Sequence, residues 1–299
     1  MPLEGIFAPL TVPFAKDGAV DHAAARTNVN RYNRTPLSGY VINGSTGESV
    51  LLKWAEVYEI WETARASAAP GKTLIAGTGA ESTSETIEAT NRAAAAGYDF
   101  ALVRTPSYYR GQMSVEAEAE HYLRVADAAK IPILLYSVPA NTNYAIEPPL
   151  VERVAAHPNI AGMKDSSGNI PRVRDIVAVA PARFRMLVGA ASALEPSLRE
   201  GASGGVLALA CALPEMCCEL YEAHHHGDAE RARRLQEVLS VPSSVILSKH
   251  GVPGLKHALD TLGYIGGLPR PPLRPASETA REEINAALAS VADAARSVA

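Results

Sequence analysis

Only three of the 299 residues are cysteine, and two of those, Cys217 and Cys218, are adjacent. Such a set builds neither a disulfide framework nor a spaced thiolate metal site, and it suits a reducing compartment. No apolar run is long enough to span a bilayer, and Met1-Pro2-Leu3-Glu4 opens no leader pattern, so a soluble, cytoplasmic protein is expected. Charge of one sign is also lacking. The 28 basic residues face 32 acidic ones with no basic block, which argues against nucleic acid or an anionic membrane as partner. What the chain does hold is 47% hydrophobic residues over a length that can bury a large core, which excludes wholesale disorder.

Short apolar runs alternate with amphipathic or Ala-rich stretches. Runs of strand length occupy 5–11, 39–43, 73–77, 100–105, 132–136, 160–164, 185–189 and 204–209. Helix-length stretches follow them at 21–34, 53–68, 82–96, 114–129, 148–156, 170–180, 192–200 and 213–226. Local punctuation agrees: Ser82-Thr83-Ser84-Glu85 has the form of a capping box, and Gly97 closes an alanine run. Eight strand–helix units in succession predict an α/β protein, a (β/α)8 TIM barrel over residues 1–227. A doubly wound open sheet is the second reading, but Leu10-Thr11-Val12-Pro13-Phe14 after the first strand lacks its glycine fingerprint. Beyond His226 the pattern is helical only, at 228–239, 248–262 and 277–298, giving a C-terminal helical region over 228–299. Pro269-Arg270-Pro271-Pro272 is expected to be a stiff connector before the last helix.

In a barrel of this kind the active site lies at the carboxyl ends of the strands. Strand two runs into Asn43-Gly44-Ser45-Thr46-Gly47-Glu48-Ser49, and strand four into Thr105-Pro106-Ser107-Tyr108-Tyr109-Arg110. Strand five runs into Tyr136-Ser137-Val138-Pro139-Ala140-Asn141-Thr142. Lys164 closes strand six, with Asp165, Ser166 and Ser167 as candidate caps for the helix that follows. A lysine amine drawn out of water gives up its proton more readily and becomes a nucleophile toward carbonyl carbon. Imine formation needs protons moved to and from oxygen, which the Tyr136 phenol can do if relayed through Ser45 and a second tyrosine. Backbone N–H groups and hydroxyls of Gly44-Ser45-Thr46-Gly47 can receive a carboxylate beside the ketone. The iminium is then an electron sink for making or breaking a C–C bond. Taken singly, Lys164 is a surface lysine, Tyr136 and Tyr108 are barrel-mouth packing, and Ser45 and Thr46 are turn residues. Their coincidence at strand ends is what favours carbonyl chemistry.

Those motifs, with Gly162-Met163-Lys164-Asp165-Ser166-Ser167-Gly168 and Gly201-Ala202-Ser203-Gly204-Gly205-Val206, resemble the signatures of the dihydrodipicolinate synthase / N-acetylneuraminate lyase superfamily. The likeness covers residues 5–267. It implies a class I aldolase or synthase on a (β/α)8 barrel, homotetrameric, forming a Schiff base with pyruvate or another 2-oxo acid and using no metal or organic cofactor. By the same resemblance Lys164 matches the Schiff-base lysine and Tyr136 the proton shuttle. Ser45 and Thr46 match the hydroxyl pair at the carboxylate, and either Tyr108 or Tyr109 the tyrosine from a neighbouring subunit. Ser166, Gly189 and Leu207 fall where relatives line the pocket.

The partner of pyruvate is an aldehyde whose identity turns on Asn141. Dihydrodipicolinate synthases carry an arginine there, two residues after the strand-five proline, and an amide cannot replace a bidentate guanidinium. The runs at 136–142, 105–111, 157–160 and 251–256 are similar to 4-hydroxy-2-oxoglutarate aldolases, so cleavage of that substrate to pyruvate and glyoxylate is expected. The alternatives are 4-hydroxy-tetrahydrodipicolinate (dihydrodipicolinate) synthase, a 2-oxo sugar-acid lyase, or a metabolite-binding barrel without catalysis. Thr46 stands where some relatives have asparagine. Arg110 is read as a solvated loop arginine ahead of a site for a distal carboxylate. His224-His225-His226 suggests no metal site, because three consecutive helical positions point in different directions.

Overall fold

The computed structural model describes residues 3–298. Among them, eight parallel strands follow one another in chain order around a closed barrel. They are β1 (Gly5–Pro9), β2 (Gly39–Ile42), β3 (Thr73–Gly77), β4 (Phe100–Arg104), β5 (Ile133–Ser137), β6 (Ile160–Asp165), β7 (Arg185–Val188) and β8 (Gly204–Val206). The helices are α1 (His22–Tyr32), α2 (Trp54–Ser67), α3 (Thr83–Ala95), α4 (Val115–Ala128), α5 (Pro139–Thr142), α6 (Pro148–Val154), α7 (Ile170–Val179), α8 (Leu194–Arg199), α9 (Pro214–His225), α10 (Ala229–Pro242), α11 (Gly251–Thr261) and α12 (Glu278–Val298). The predicted TIM barrel is therefore present, followed by helices as far as Val298. Two compact units divide it: one holds the residues up to Gly5 with Thr73–Val206, the other Ile6–Lys72 with the residues from Leu207 onward.

In the first unit the strands are buried on both faces, and β3 and β5 are buried along their whole lengths. That is the signature of parallel strands covered by helices, and it explains their uninterrupted apolar runs. Ser82 caps α3 by accepting from the Glu85 N–H at 3.2 Å, as the capping-box pattern predicts. Gly162 allows β6 to approach β7, since a Cβ there would stand 2.1 Å from the Arg185 carbonyl oxygen. The expected cap of the following helix is corrected. β6 continues through Asp165, whose carboxylate accepts from the Ser167 N–H at 3.1 Å and from its hydroxyl at 2.5 Å. The chain then turns at Gly168 (φ +68°), and Asn169 caps α7 by accepting from the Arg172 N–H.

In the second unit α11 begins at Gly251, not at 248, because Ser243–Lys249 winds as a π-helical stretch after α10. β8 stops at Val206, short of its predicted end, because Ala208–Cys211 curls into a 3-10 turn. A buried ionic cluster organises the approach to β2. Glu48 holds a left-handed conformation (φ 59°) that glycine adopts more readily, and it does so with its side chain buried. Its carboxylate meets Lys256 Nζ at 2.6 Å and accepts from the Arg270 N–H at 2.8 Å. Lys256 Nζ also donates to the carbonyls of Val12 and Leu268, at 2.8 and 2.7 Å. Burial pulls the Lys256 pKa down, and Glu48 opposes it. Arg270 forks onto Glu56 with two contacts of 2.8 and 2.6 Å and holds that carboxyl at about 2. Both cations lie against the Phe14 ring, 4.5 and 4.4 Å from its centroid. The connector at 269–272 is thus an anchoring point as well as a spacer.

Removing one partner of a buried pair strands the other charge. Lys256→Met is expected to cost about 3–5 kcal/mol in denaturant unfolding, and the double substitution Lys256→Met with Glu48→Leu to regain part of that loss. Equal losses in the single and double variants would show that the pair itself is not the source.

Candidate active site

β5 and β6 pair so that Tyr136 stands beside Lys164. Side chains at one level of neighbouring parallel strands share a face, so phenol and amine project together. Both residues are buried, at 5% and 4% exposure, and Lys164 Nζ lies 4.3 Å from the centroid of the Tyr136 ring. The next level is set by Gly189, just past β7. A Cβ there would fall 2.0 Å from Ser166 Oγ and 3.1 Å from Lys164 Cε, so the missing side chain leaves room for the Ser166 hydroxyl beside the lysine stem. The Gly189 N–H donates to the Asp165 carbonyl at 2.7 Å, and the Ser166 N–H to the Ser137 carbonyl at 2.9 Å. These bonds continue the ladder one step beyond the strands and fix the lysine's surroundings. Burial pushes the Asp165 carboxyl up, against hydrogen bonds from Ser167 and Ser137.

The loop after β4 is held from below. Glu81 accepts from the N–H groups of Ser107 and Tyr108, each at 2.9 Å, and pairs with Arg104 at 2.7 Å. Burial raises this carboxyl, but the Tyr108 N–H and Arg104 outweigh it and hold it below the usual range. Tyr108 and Tyr109 meet edge to face with centroids 5.0 Å apart, and both are exposed, at 77% and 67%. After β5, α5 starts at Pro139 and carries Asn141 to the surface. A buried amine on a phenol ring, with a glycine and a serine hydroxyl packed beside its stem, is an arrangement suited to capturing a small carbonyl compound.

The profile of the Dihydrodipicolinate synthetase family matches residues 2–291. The chain belongs to this family. It is therefore a carbon–carbon lyase, as its named relatives are. It is similar to the 4-hydroxy-tetrahydrodipicolinate synthase of Methanothrix thermoacetophila, 34% identical over 292 residues and covering 97% of each chain. It is also similar to a protein of Emericella nidulans named "Probable 4-hydroxy-2-oxoglutarate aldolase, mitochondrial", 33% identical over 282 residues, 92% of this chain and 91% of that one. Among solved structures, the dihydrodipicolinate synthase of Acinetobacter baumannii complexed with pyruvate superposes with a TM-score of 0.92 at 28% identity, over 97% of this chain and 99% of that one. The expected family is thus established, whereas the narrower likeness to the aldolases is not: a synthase name stands at 34% identity and an aldolase name at 33%.

Within this family member, the expected residues fall into three groups. Lys164, Tyr136, Ser166 and Gly189 surround one point in the first unit. Tyr108, Tyr109 and Arg110 reach solvent on the loop after β4, and Asn141 on α5. Ser45, Thr46 and Leu207 belong to the second unit. Ser45 and Thr46 lie in the 3-10 turn Ser45–Gly47 that follows β2, with Thr46 buried, and the turn ends at the pinned Glu48. Leu207 is fully buried, and its N–H donates to the Phe7 carbonyl at 3.0 Å. Sequence reasoning did not single out Glu81, Glu118, Tyr144 or Lys256. Glu118 alone carried a signal, since it lies on the helical face of Tyr122 and Val125, where an apolar residue is expected. Among the described residues no group of three His, Cys, Asp or Glu is placed to hold a metal ion.

Gly189→Ala is expected to displace Ser166 and the lysine stem and to lower turnover about 100-fold, the scale of an ångström-sized misplacement. Unfolding should shift far less than turnover. An unchanged rate would mean that Gly189 does not shape the lysine's position.

Proposed function

We propose that the chain is a pyruvate-dependent class I lyase in which Lys164 forms a Schiff base with the ketone carbon of pyruvate. The observation that carries this reading is the Lys164 amine lying 4.3 Å from the Tyr136 ring centroid at the end of a buried strand. The amine adds to the ketone, the carbinolamine loses water, and loss of a methyl proton from the iminium gives an enamine. The enamine attacks an aldehyde, and hydrolysis of the new iminium frees the lysine; the reverse sequence cleaves the bond. Tyr136 carries the protons of carbinolamine formation and collapse, with Ser45 as its relay. Ser45 and Thr46 receive the carboxylate, and Ser166, Gly189 and Leu207 line the pocket. Either Tyr108 or Tyr109 completes the relay of a neighbouring protomer in a homotetramer, a role consistent with large exposed rings on a loop whose backbone Glu81 holds. The iminium itself is the electron sink, so the scheme needs no metal or organic cofactor.

For the aldehyde, relatives named as synthases favour 4-hydroxy-tetrahydrodipicolinate synthase chemistry with aspartate semialdehyde over the aldolase expected from the motifs. A second reading, cleavage of 4-hydroxy-2-oxoglutarate, keeps one specific support. Asn141 is an exposed amide at the position where synthases are expected to present a guanidinium.

Borohydride reduction in the presence of pyruvate should leave a mass adduct on Lys164 and none in Lys164→Ala. Tyr136→Phe should lower kcat about 10²- to 10⁴-fold. A wild-type chain without the adduct would overturn the imine mechanism and favour a binding barrel. A panel of aspartate semialdehyde, glyoxylate and longer aldehydes then separates synthase from aldolase by the fastest condensation.

A further inference from the structure

Tyr144 lies on the turn after α5 and has none of the roles above. Its phenol donates to the Pro106 carbonyl, which joins this turn to the loop carrying Tyr108 and Tyr109. Thr142 Oγ1 donates to the Tyr144 carbonyl at 2.9 Å and steadies the backbone from which the phenol projects. On α4 is Glu118, buried, whose carboxyl reaches the same phenol. Glu118 Oε1 has no hydrogen-bond partner, an arrangement that buried polar atoms avoid unless something else sets it. The groups facing Glu118 are Tyr144, Tyr122 on its own helix and Glu147 before α6; the Thr105 hydroxyl, just past β4, also reaches the Tyr144 phenol, and His121 on α4 is bonded to Thr83. Glu147 is drawn toward Arg172 at 2.7 Å, and Arg104 is engaged by Glu81.

The phenol has one proton, and a carbonyl can only accept. A protonated Glu118 donates to the phenol oxygen while the phenol donates to Pro106, so the carbonyl keeps its donor. An ionised Glu118 has no proton to give and is the stronger acceptor, so it takes the phenol's proton and the Pro106 carbonyl loses its donor. We propose that Tyr144 is a positioning residue for the Tyr108–Tyr109 loop, holding it through the Pro106 carbonyl only while the buried Glu118 carboxyl keeps its proton. Burial pushes Glu118 up to about 7, with Glu147 adding to the rise and the Tyr144 hydrogen bond opposing it. Burial also keeps the Tyr144 phenol from ionising in this range. The tether is therefore present at pH 6 and released by pH 8. Its bearing on turnover rests on the reading that this loop borders the substrate.

The test is hydrogen exchange of the 105–113 segment in the full chain, corrected for intrinsic rates, with the Ser107 and Tyr108 amides as reporters. The wild type should lose about three- to ten-fold protection between pH 6 and 8, the worth of one hydrogen bond. Tyr144→Phe should show the low protection at both pH values. Glu118→Gln, which keeps a donor on the phenol, should show the high protection at both. The same pH response in Tyr144→Phe as in the wild type, or a Glu118→Gln loop as open as that of Tyr144→Phe, would overturn the proposal, provided thermal unfolding shows both variants folded. A raised aldehyde KM in Tyr144→Phe, with the Lys164–pyruvate adduct intact, supports the tether in its positioning role. Protection that changes as expected with an unchanged KM supports the tether and counts against placing the loop at the substrate. Loss of the adduct in the wild type fails the Schiff-base reading alone.

Discussion

Parallel pairing between β5 and β6 puts Tyr136 and Lys164 at one level, and the chemistry proposed for this chain depends on that register. Side chains alternate strictly along a strand, so a slip of one residue would turn either side chain to the opposite face of the sheet. The register is protected by its surroundings. Ile133, Leu134 and Leu135 on one strand and Met163 on the other are fully buried, so a slip would also misplace the apolar set. Gly162 adds a steric condition, because β7 passes too close for any side chain there. The lysine is thus placed by buried strands of the first unit, as the nucleophile proposed above requires.

The loops that would meet a second substrate are held differently. Single polar side chains grip their backbones: Glu81 takes two N–H groups of the loop after β4, and Tyr144 takes one of its carbonyls. In the second unit the Ser45–Gly47 turn ends at a left-handed Glu48, whose carboxylate is claimed by Lys256 and by the Arg270 backbone. Local strain there is offset by an ion pair that water cannot reach. Helices after the eighth strand therefore do more than extend the fold, since Lys256 and Arg270 lie among them and set a turn that follows β2.

Much of the architecture was legible because it rests on local periodicity. Eight apolar runs, each followed by a helical stretch, can bury themselves in few ways, and strand ends collect the residues of a site. Lys164 and Tyr136, expected from that rule, and Ser166 and Gly189, expected from a family likeness, lie together in the first unit. The cap of α7 was misread because Asp165, Ser166, Ser167 and Asn169 all have capping chemistry, and only the length of β6 decides among them. The π-helical stretch at Ser243–Lys249 has no compositional mark that separates it from an α-helix.

The sequence by itself determined the fold class and the family, because patterning and motif order are properties of the chain read locally. Tertiary structure alone decided which polar groups became partners. Glu48 and Arg270 are 222 positions apart, and nothing near either one announces the other. Glu118 and Tyr144 meet only after α4 packs on the barrel, and burial, which no single stretch of sequence contains, moves that carboxyl to about 7. Pairing and desolvation are consequences of the folded interior, so the groups they act on became visible only there.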